Sequence, residues 1–388
     1  MSRRQFFPAR QIYTLSQLKA DEMKFGLFAQ AERHPSENWS LGLDLDIKEM
    51  KTAERLGFDE FWAGEHHAIP HEASADPLLL LAKGAAETER ITLAPGVIQA
   101  PVHDPFKTAE RLAQLDHLSH GRLLYGIGGS AAPELDFFGL PSDEKRPRMK
   151  EFIDIVEAYH TADGPVSYDG DFWQYDDREI MLQPYQRPHP RVAIPGSTSP
   201  YSFELAARRG YIPMSISYSL MHGGENPKVH SLTEQAETMR ETAREVDRDP
   251  EAAIRDWRIF REVYVAESRE QAIADIRSGA TETFLDYLRD TAGLGMFMKE
   301  DEDMADEEIT LEYLIDNAPW IVGSPEECIE QIEGMRDELG DFGALGILSR
   351  KSWMPTDMWY RSLERFARYV MPAFKENARS SAAPDEWR

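Results

Sequence analysis

The sequence predicts an α/β protein, a (β/α)8 TIM-type barrel with insertions, and three observations carry that prediction. Eight short apolar segments recur along the chain. Nearly every one is followed by a segment of helical period, and such alternation implies a parallel sheet. Eight strand–helix units within 388 residues suit closure into a barrel. A doubly wound open sheet is the alternative, but "GIGGSAAPE" lacks the third glycine of a GxGxxG turn.

The elements follow in order. Residues 1–22 form an N-terminal extension without the apolar core or small-residue cleavage site of a signal peptide. "MKFGLFA" is the first strand, and "LDIKEMKTAERLGF" is a helix stopped at Gly57. "FDEFWAGEHH" is a strand ending on histidines, and "DPLLLLAKGAAETER" is a helix. "ITLAPGVIQAP" is the third strand, "PFKTAERLAQLDHLSHG" a helix, and "RLLYGIGGS" a strand opening into a Gly-rich loop. After the helix around "MKEFIDIVEAYHT", residues 163–189 break the rhythm as an excursion of hairpin type. "RVAIPGS", "YIPMSISY", "WRIFREVYVA" and "FGALGILS" are strands five to eight. Residues 293–320 form a second insertion whose acidic run, 298–309, is too polar to pack; it reads as a mobile lid or a solvated loop. A single domain thus spans 23–376, with 377–388 a flexible tail.

Composition narrows the function. A net charge of −26 leaves no basic stripe for nucleic acid, and no apolar run reaches the ~20 residues needed to span a bilayer. Cys328 is the only cysteine, which excludes an intrachain disulfide or a multi-cysteine metal site. A cytoplasmic protein is expected.

In such a barrel, reactive groups gather at the C-terminal ends of strands. Glu65, His66 and His67 end strand two, and Gly96 and Val97 lie on strand three. Gly128, Gly129 and Ser130 end strand four, while Gly196, Ser197, Thr198 and Ser199 end strand five. The last two loops join small residues and hydroxyls to helix starts, where unpaired N–H groups favour phosphate; helix capping is the plainer reading of each alone. Arg146 or Arg148 can supply the counter-charge. Strand alternation sends His66 and His67 to opposite faces, and Pro70 forbids a helical zinc pair of His67 with His71, so no metal is expected. One histidine at the mouth suits acid–base work or hydrogen bonding to a cofactor.

"LGFDEFWAGEHH", "ITLAPGVIQAPVHDPFKTAERLAQLDHLSHGRLLYGIG" and "FFGLP…RPRM" closely resemble the bacterial luciferase-like flavin monooxygenases, nearest to their limonene and alkanal monooxygenase branch. The resemblance implies an enzyme that takes reduced FMN (FMNH2) from a separate flavin reductase, forms a flavin C4a-peroxide with O2, and oxygenates a small apolar substrate such as a terpene, alkanal or ketone. It makes His66 the catalytic residue. It assigns Glu65, His67, Gly96, Val97, Gly128, Gly129, Ser130, Arg146, Gly196, Ser197 and Thr198 to the flavin pocket. It implies a non-proline cis bond at Gly96–Val97. The family's reactive cysteine and phosphate-binding arginine correspond to Gly128 and Gly129, so neither is kept. Homo-oligomers, dimers above all, are common in the family. Two rival readings are an F420-dependent oxidoreductase on the same barrel and a non-catalytic flavin-binding protein.

Overall fold

The computed structural model describes residues 22–30, 38–197, 199–216, 230–290 and 293–375. The N-terminal extension up to residue 21, Thr198 and the tail from residue 376 lie outside the described residues.

The chain runs β1 (Lys24–Ala29), α1 (Trp39–Leu56), β2 (Glu60–Ala63), α2 (Pro77–Ala85), β3 (Thr92–Pro95), β4 (Ile98–Gln99), α3 (Pro105–Leu118) and β5 (Leu124–Gly128). Then come α4 (Ala132–Phe137), α5 (Lys145–Thr161), β6 (Val166–Asp169), β7 (Gln174–Arg178), β8 (Arg191–Gly196), α6 (Tyr201–Arg209) and β9 (Ile212–Ser215). The last part holds α7 (Leu232–Glu245), α8 (Ala252–Asp256), β10 (Arg258–Arg261), β11 (Val263–Val265), α9 (Arg269–Ala280), α10 (Leu311–Asn317), β12 (Ile321–Gly323), α11 (Pro325–Leu339), β13 (Ala344–Leu348), α12 (Thr356–Arg365) and α13 (Met371–Phe374).

The barrel strands lie in the order β3-β2-β1-β13-β10-β9-β8-β5-β4, and their pairings are parallel. β3 and β4 are two halves of one strand, separated by the cis Gly96–Val97 bond. A parallel bridge between Leu93 and Leu123 joins β3 to the approach of β5 and closes the ring. The predicted barrel is therefore observed. Helices begin where the sequence supplies caps: Asp76 and Asp104 each accept a backbone N–H ahead of a proline, and Ser324 forms a capping box with Glu327.

One side of each strand fills the barrel. Phe28, Trp62, Ala94, Leu124, Ala193, Met214, Phe260 and Leu348 form one interior cluster. The period-two alternation places Glu60 and Arg258 one layer below Trp62 and Phe260, at the N-terminal ends of β2 and β10. Their side chains meet at 2.6 Å with about 2% and 3% exposure, so the ion pair crosses the barrel floor. Glu60 also accepts the Trp62 indole N–H.

Three local expectations change. β2 stops at Ala63, so Glu65, His66 and His67 follow the strand rather than end it. "WRIFREVYVA" is two strands, broken at the buried Glu262, which pairs with Arg350 at 2.7 Å; β11 pairs with β12 outside the barrel. The acidic run is not too polar to pack: Met298 and Ile309 are buried at its two ends, and the carboxylates between them stay largely exposed. Residues 163–189 do contain an antiparallel hairpin, β6–β7. Glu151 holds its turn by accepting the backbone N–H of Asp171, Phe172 and Trp173. Among the described residues, no helix is long and apolar enough to cross a membrane.

Candidate active site

The loop after β2 is folded back on itself by a bridge between His66 and Ser74. That backbone pairing aims the two histidines apart. The His66 ring sits between two carboxylates, with Nδ1 3.1 Å from Glu134 Oε1 and Nε2 3.4 Å from Glu72 Oε2. The His67 ring turns instead to Glu65, Nε2 to Oε1 at 3.0 Å. The expected divergence holds, but loop hydrogen bonds cause it rather than strand pleat.

Glu134, in the first turn of α4, is fully buried and does more than face His66. Its oxygens also accept the backbone N–H of His67 at 3.0 Å and of Ala68 at 2.9 Å. Burial alone would raise its pKa, yet the His66 hydrogen bond and the two N–H groups hold it below the usual carboxylate range. Burial would likewise lower His66, but the Glu134 hydrogen bond and the Glu72 charge outweigh it and raise the imidazole. Both ring nitrogens of His66 thus face carboxylate oxygens, which favour its protonated form.

A second group stands behind the first. His103 Nε2 lies 2.7 Å from the same Glu65 oxygen that His67 faces. Burial works to raise Glu65, and the His103 and His67 hydrogen bonds prevail to keep it ionised. Glu65, His67 and His103 place one ligand atom each within 4.8 Å of one another. This is a different trio from the His66, His67 and His71 set weighed in the sequence, since His103 arrives from the turn after β4. Gln99 ties the group to β5: its amide donates to the Glu65 carbonyl at 2.6 Å, and its oxygen accepts from the Ser130 hydroxyl.

Two of the anticipated anion-cradle glycines have steric duties. A Cβ at Gly128 would lie 2.5 Å from Val97 Cγ2, and one at Gly196 would lie 2.5 Å from the Phe203 ring. They make room for Val97 and for α6. Ser130, at φ +72°, turns its hydroxyl toward Gln99 and not toward the β8 loop. Arg146 does reach that loop, donating to the Ser199 hydroxyl at 3.1 Å and lying over the Tyr201 ring. Arg148 leaves it, pairing with Glu144 at 2.7 Å and stacking on Phe172. Lys145 crosses Gly129 closely, with its Cε 2.7 Å from where a Cβ would sit. Ser197 sits at the end of β8, its carbonyl accepting the His230 N–H.

Sequence reasoning passed over Glu72, Gln99, His103, Glu134 and Lys145. His103 carried a weak signal, a histidine just past a strand end in "PVHDP". Glu134 and Lys145 looked like ordinary helix-start residues.

The model of the family described as "Luciferase-like monooxygenase" matches residues 23–341. The chain belongs to the luciferase-like monooxygenase family. A 4-hydroxyprotoasukamycin monooxygenase of Streptomyces nodosus subsp. asukaensis is 30% identical over 368 residues, 95% of this chain and 96% of that one. A limonene 1,2-monooxygenase of Rhodococcus erythropolis is 30% identical over 351 residues, covering 90% and 86%. The oxygenase component of a flavin-dependent trigonelline monooxygenase of Acinetobacter baylyi is 27% identical, covering 92% and 96%. Among solved structures, the oxygenating constituent of 3,6-diketocamphane monooxygenase from Pseudomonas putida, in complex with FMN, superposes with a TM-score of 0.76 at 24% identity, covering 90% and 98%. An F420-dependent tetrahydromethanopterin reductase of Methanopyrus kandleri has the same fold, with a TM-score of 0.67 at 19% identity, covering 91% and 100%. As a luciferase-like monooxygenase, this chain is an enzyme of the flavin-dependent class.

Proposed function

We propose that this luciferase-like monooxygenase is the oxygenase of a two-component system. In this reading it takes FMNH2 from a separate reductase and uses O2 to oxygenate a small apolar compound, a terpene, alkanal or ketone. A reductase partner is supported by the relative named as an oxygenase component, and FMN by the structural neighbour that carries it. We further read the enzyme as a cytoplasmic homodimer.

The observation that carries the reading is the chemical polarity of the barrel mouth. On one side His66 is held as a proton donor between Glu134 and Glu72. On another, Arg146 and Ser199 join hydroxyl and guanidinium at the end of β8. Val97 packs on the apolar barrel interior. This donor set fits a flavin: an anionic tail at Arg146 and Ser199, an apolar face against Val97, and a proton source at the ring. The flavin would supply the electrons that activate O2. The protein's part is to place the ring, deliver or hold the proton at His66 Nε2, and keep water out. Glu65, His67 and His103 support that loop from behind. Gly96, Gly128, Gly129, Ser130, Gly196 and Ser197 would shape the walls. Residues 293–320 are the proposed cover. His71 of the histidine loop stacks on Tyr287, in the helix leading into that segment, at 4.2 Å.

The test is turnover with FMN, NADH and a flavin reductase. His66→Ala should lose about a hundredfold or more in substrate oxidation while retaining flavin binding. Full activity in that variant would end the catalytic assignment. Tight F420 binding without FMN binding would shift the enzyme to the deazaflavin reading.

A further inference from the structure

Two imidazoles converge on a single oxygen behind the His66 loop. His67 Nε2 and His103 Nε2 lie 3.0 Å and 2.7 Å from Glu65 Oε1. A carboxylate accepts and cannot donate, so both rings present an Nε2 edge to it. Oε2 faces the more distant Gln99 backbone N–H at 3.4 Å. Among the described residues, no lysine or arginine pairs with Glu65, although its side chain is about 1% exposed. A buried anion is thus left to two neutralisable rings, where a fixed positive charge would be favourable. In a tetrahedral zinc site with bonds of about 2.0–2.1 Å, ligand atoms stand about 3.3 Å apart, close to both of these separations. All three ligand atoms lie within 4.8 Å of one another.

Each ligand is also held by a second contact. The Glu65 carbonyl accepts from the Gln99 amide at 2.6 Å. Glu134 accepts the His67 N–H at 3.0 Å, and the His67 ring meets Phe138 edge-on. His103 is fixed in the turn between β4 and α3, its N–H bonded to the Ala100 carbonyl. The two rings are 15% and 19% exposed, so water can reach the ring side of the group.

We propose that Glu65, His67 and His103 bind a divalent transition metal of the zinc class, completed by water. Two nitrogen ligands favour zinc, cobalt, nickel or copper over magnesium and calcium, which take oxygen. A neutral ring that binds through Nε2 shifts its proton to Nδ1, and a charged ring releases one proton. The bound ion would clamp the loop after β2 to the turn after β4. The expectation of no metal weighed His66, His67 and His71, and His103 supplies the ligand which that set lacked. This proposal is independent of the flavin reading, and its test uses no flavin.

The test is titration of the full, chelator-stripped chain with Co2+ and then Zn2+. One equivalent of Co2+ should give the visible absorption of a low-coordinate nitrogen–oxygen site, and Zn2+ should displace it. Zn2+ should raise the melting temperature, and Mg2+ at the same concentration should not. His103→Gln, which retains a donor for Glu65, should weaken Co2+ binding about tenfold or more and abolish the Zn2+ upshift. His103→Cys should still bind Co2+ and add a thiolate-to-cobalt charge-transfer band, which places the metal at this residue even if His103→Gln fails to fold. Absence of Co2+ absorption in the wild type, an equal upshift with Mg2+, undiminished binding in His103→Gln, or no thiolate band in His103→Cys overturns the proposal.

Discussion

Glu134 Oε1 lies 3.1 Å from His66 Nδ1, and the same carboxylate binds the next two backbone N–H groups. Ring orientation and loop shape are therefore set by one side chain. Glu134→Gln removes the charge that raises the His66 pKa. The basic limb of the kcat–pH profile should move to lower pH, because His66 then loses its proton earlier. The sign for stability follows from linkage: a raised folded-state pKa contributes stability below about pH 6.5 that fades as pH climbs through the folded value. The variant should lose that contribution and about 1–3 kcal/mol in a urea melt. An unmoved basic limb would contradict the assignment.

His160 points the other way. Its Nε2–H donates to the Ala109 carbonyl at 2.9 Å, and burial pushes its pKa down to about 4. A neutral buried imidazole costs stability as the pH falls below the unfolded value, so between about pH 6.5 and 4 the fold should lose roughly 3 kcal/mol on its account. His160→Gln, which retains a donor, should flatten that acid limb. Denaturant melts at about pH 7 and about pH 4 decide it.

Removing one partner of the floor ion pair should be costly. Arg258→Met leaves Glu60 charged and buried, for a loss of about 3–5 kcal/mol. Adding Glu60→Gln, which still accepts from Trp62, should recover part of the loss. A double variant as unstable as the sum of the two single ones would show that the pair has no coupling.

Cys328 is fully buried on α11, and burial pushes its thiol up to about 12. Ellman's reagent should leave it unlabelled in the native enzyme and label it at the rate of unfolding. Rapid native labelling would mean that α11 opens locally.

The legible part of this molecule is the part with a period. All eight strands were visible because apolar runs and turn residues mark them locally, whereas the residues alone left Arg146 and Arg148 as equal candidates beside the β8 loop. Glu134, His103 and Lys145 were not visible. Each acts on a residue 16 to 68 positions away, through a contact that only barrel closure creates, as in Lys145 over Gly129 and Glu134 beside His66. The EHH strand end was misjudged by four residues, because the bridge from His66 to Ser74 competes with the pleat and sequence pattern does not reveal it. The acidic run was misjudged because two apolar residues, Met298 and Ile309, suffice to pin a segment otherwise rich in charge.

The floor ion pair has an evolutionary consequence. Glu60 and Arg258 lock the two sides of the ring at the end opposite the histidine loop. Loops at the mouth can therefore diverge in length and chemistry while the closure of the ring is held elsewhere. A lineage built this way can change substrates by rewriting its rim, and the foundation need not be renegotiated each time.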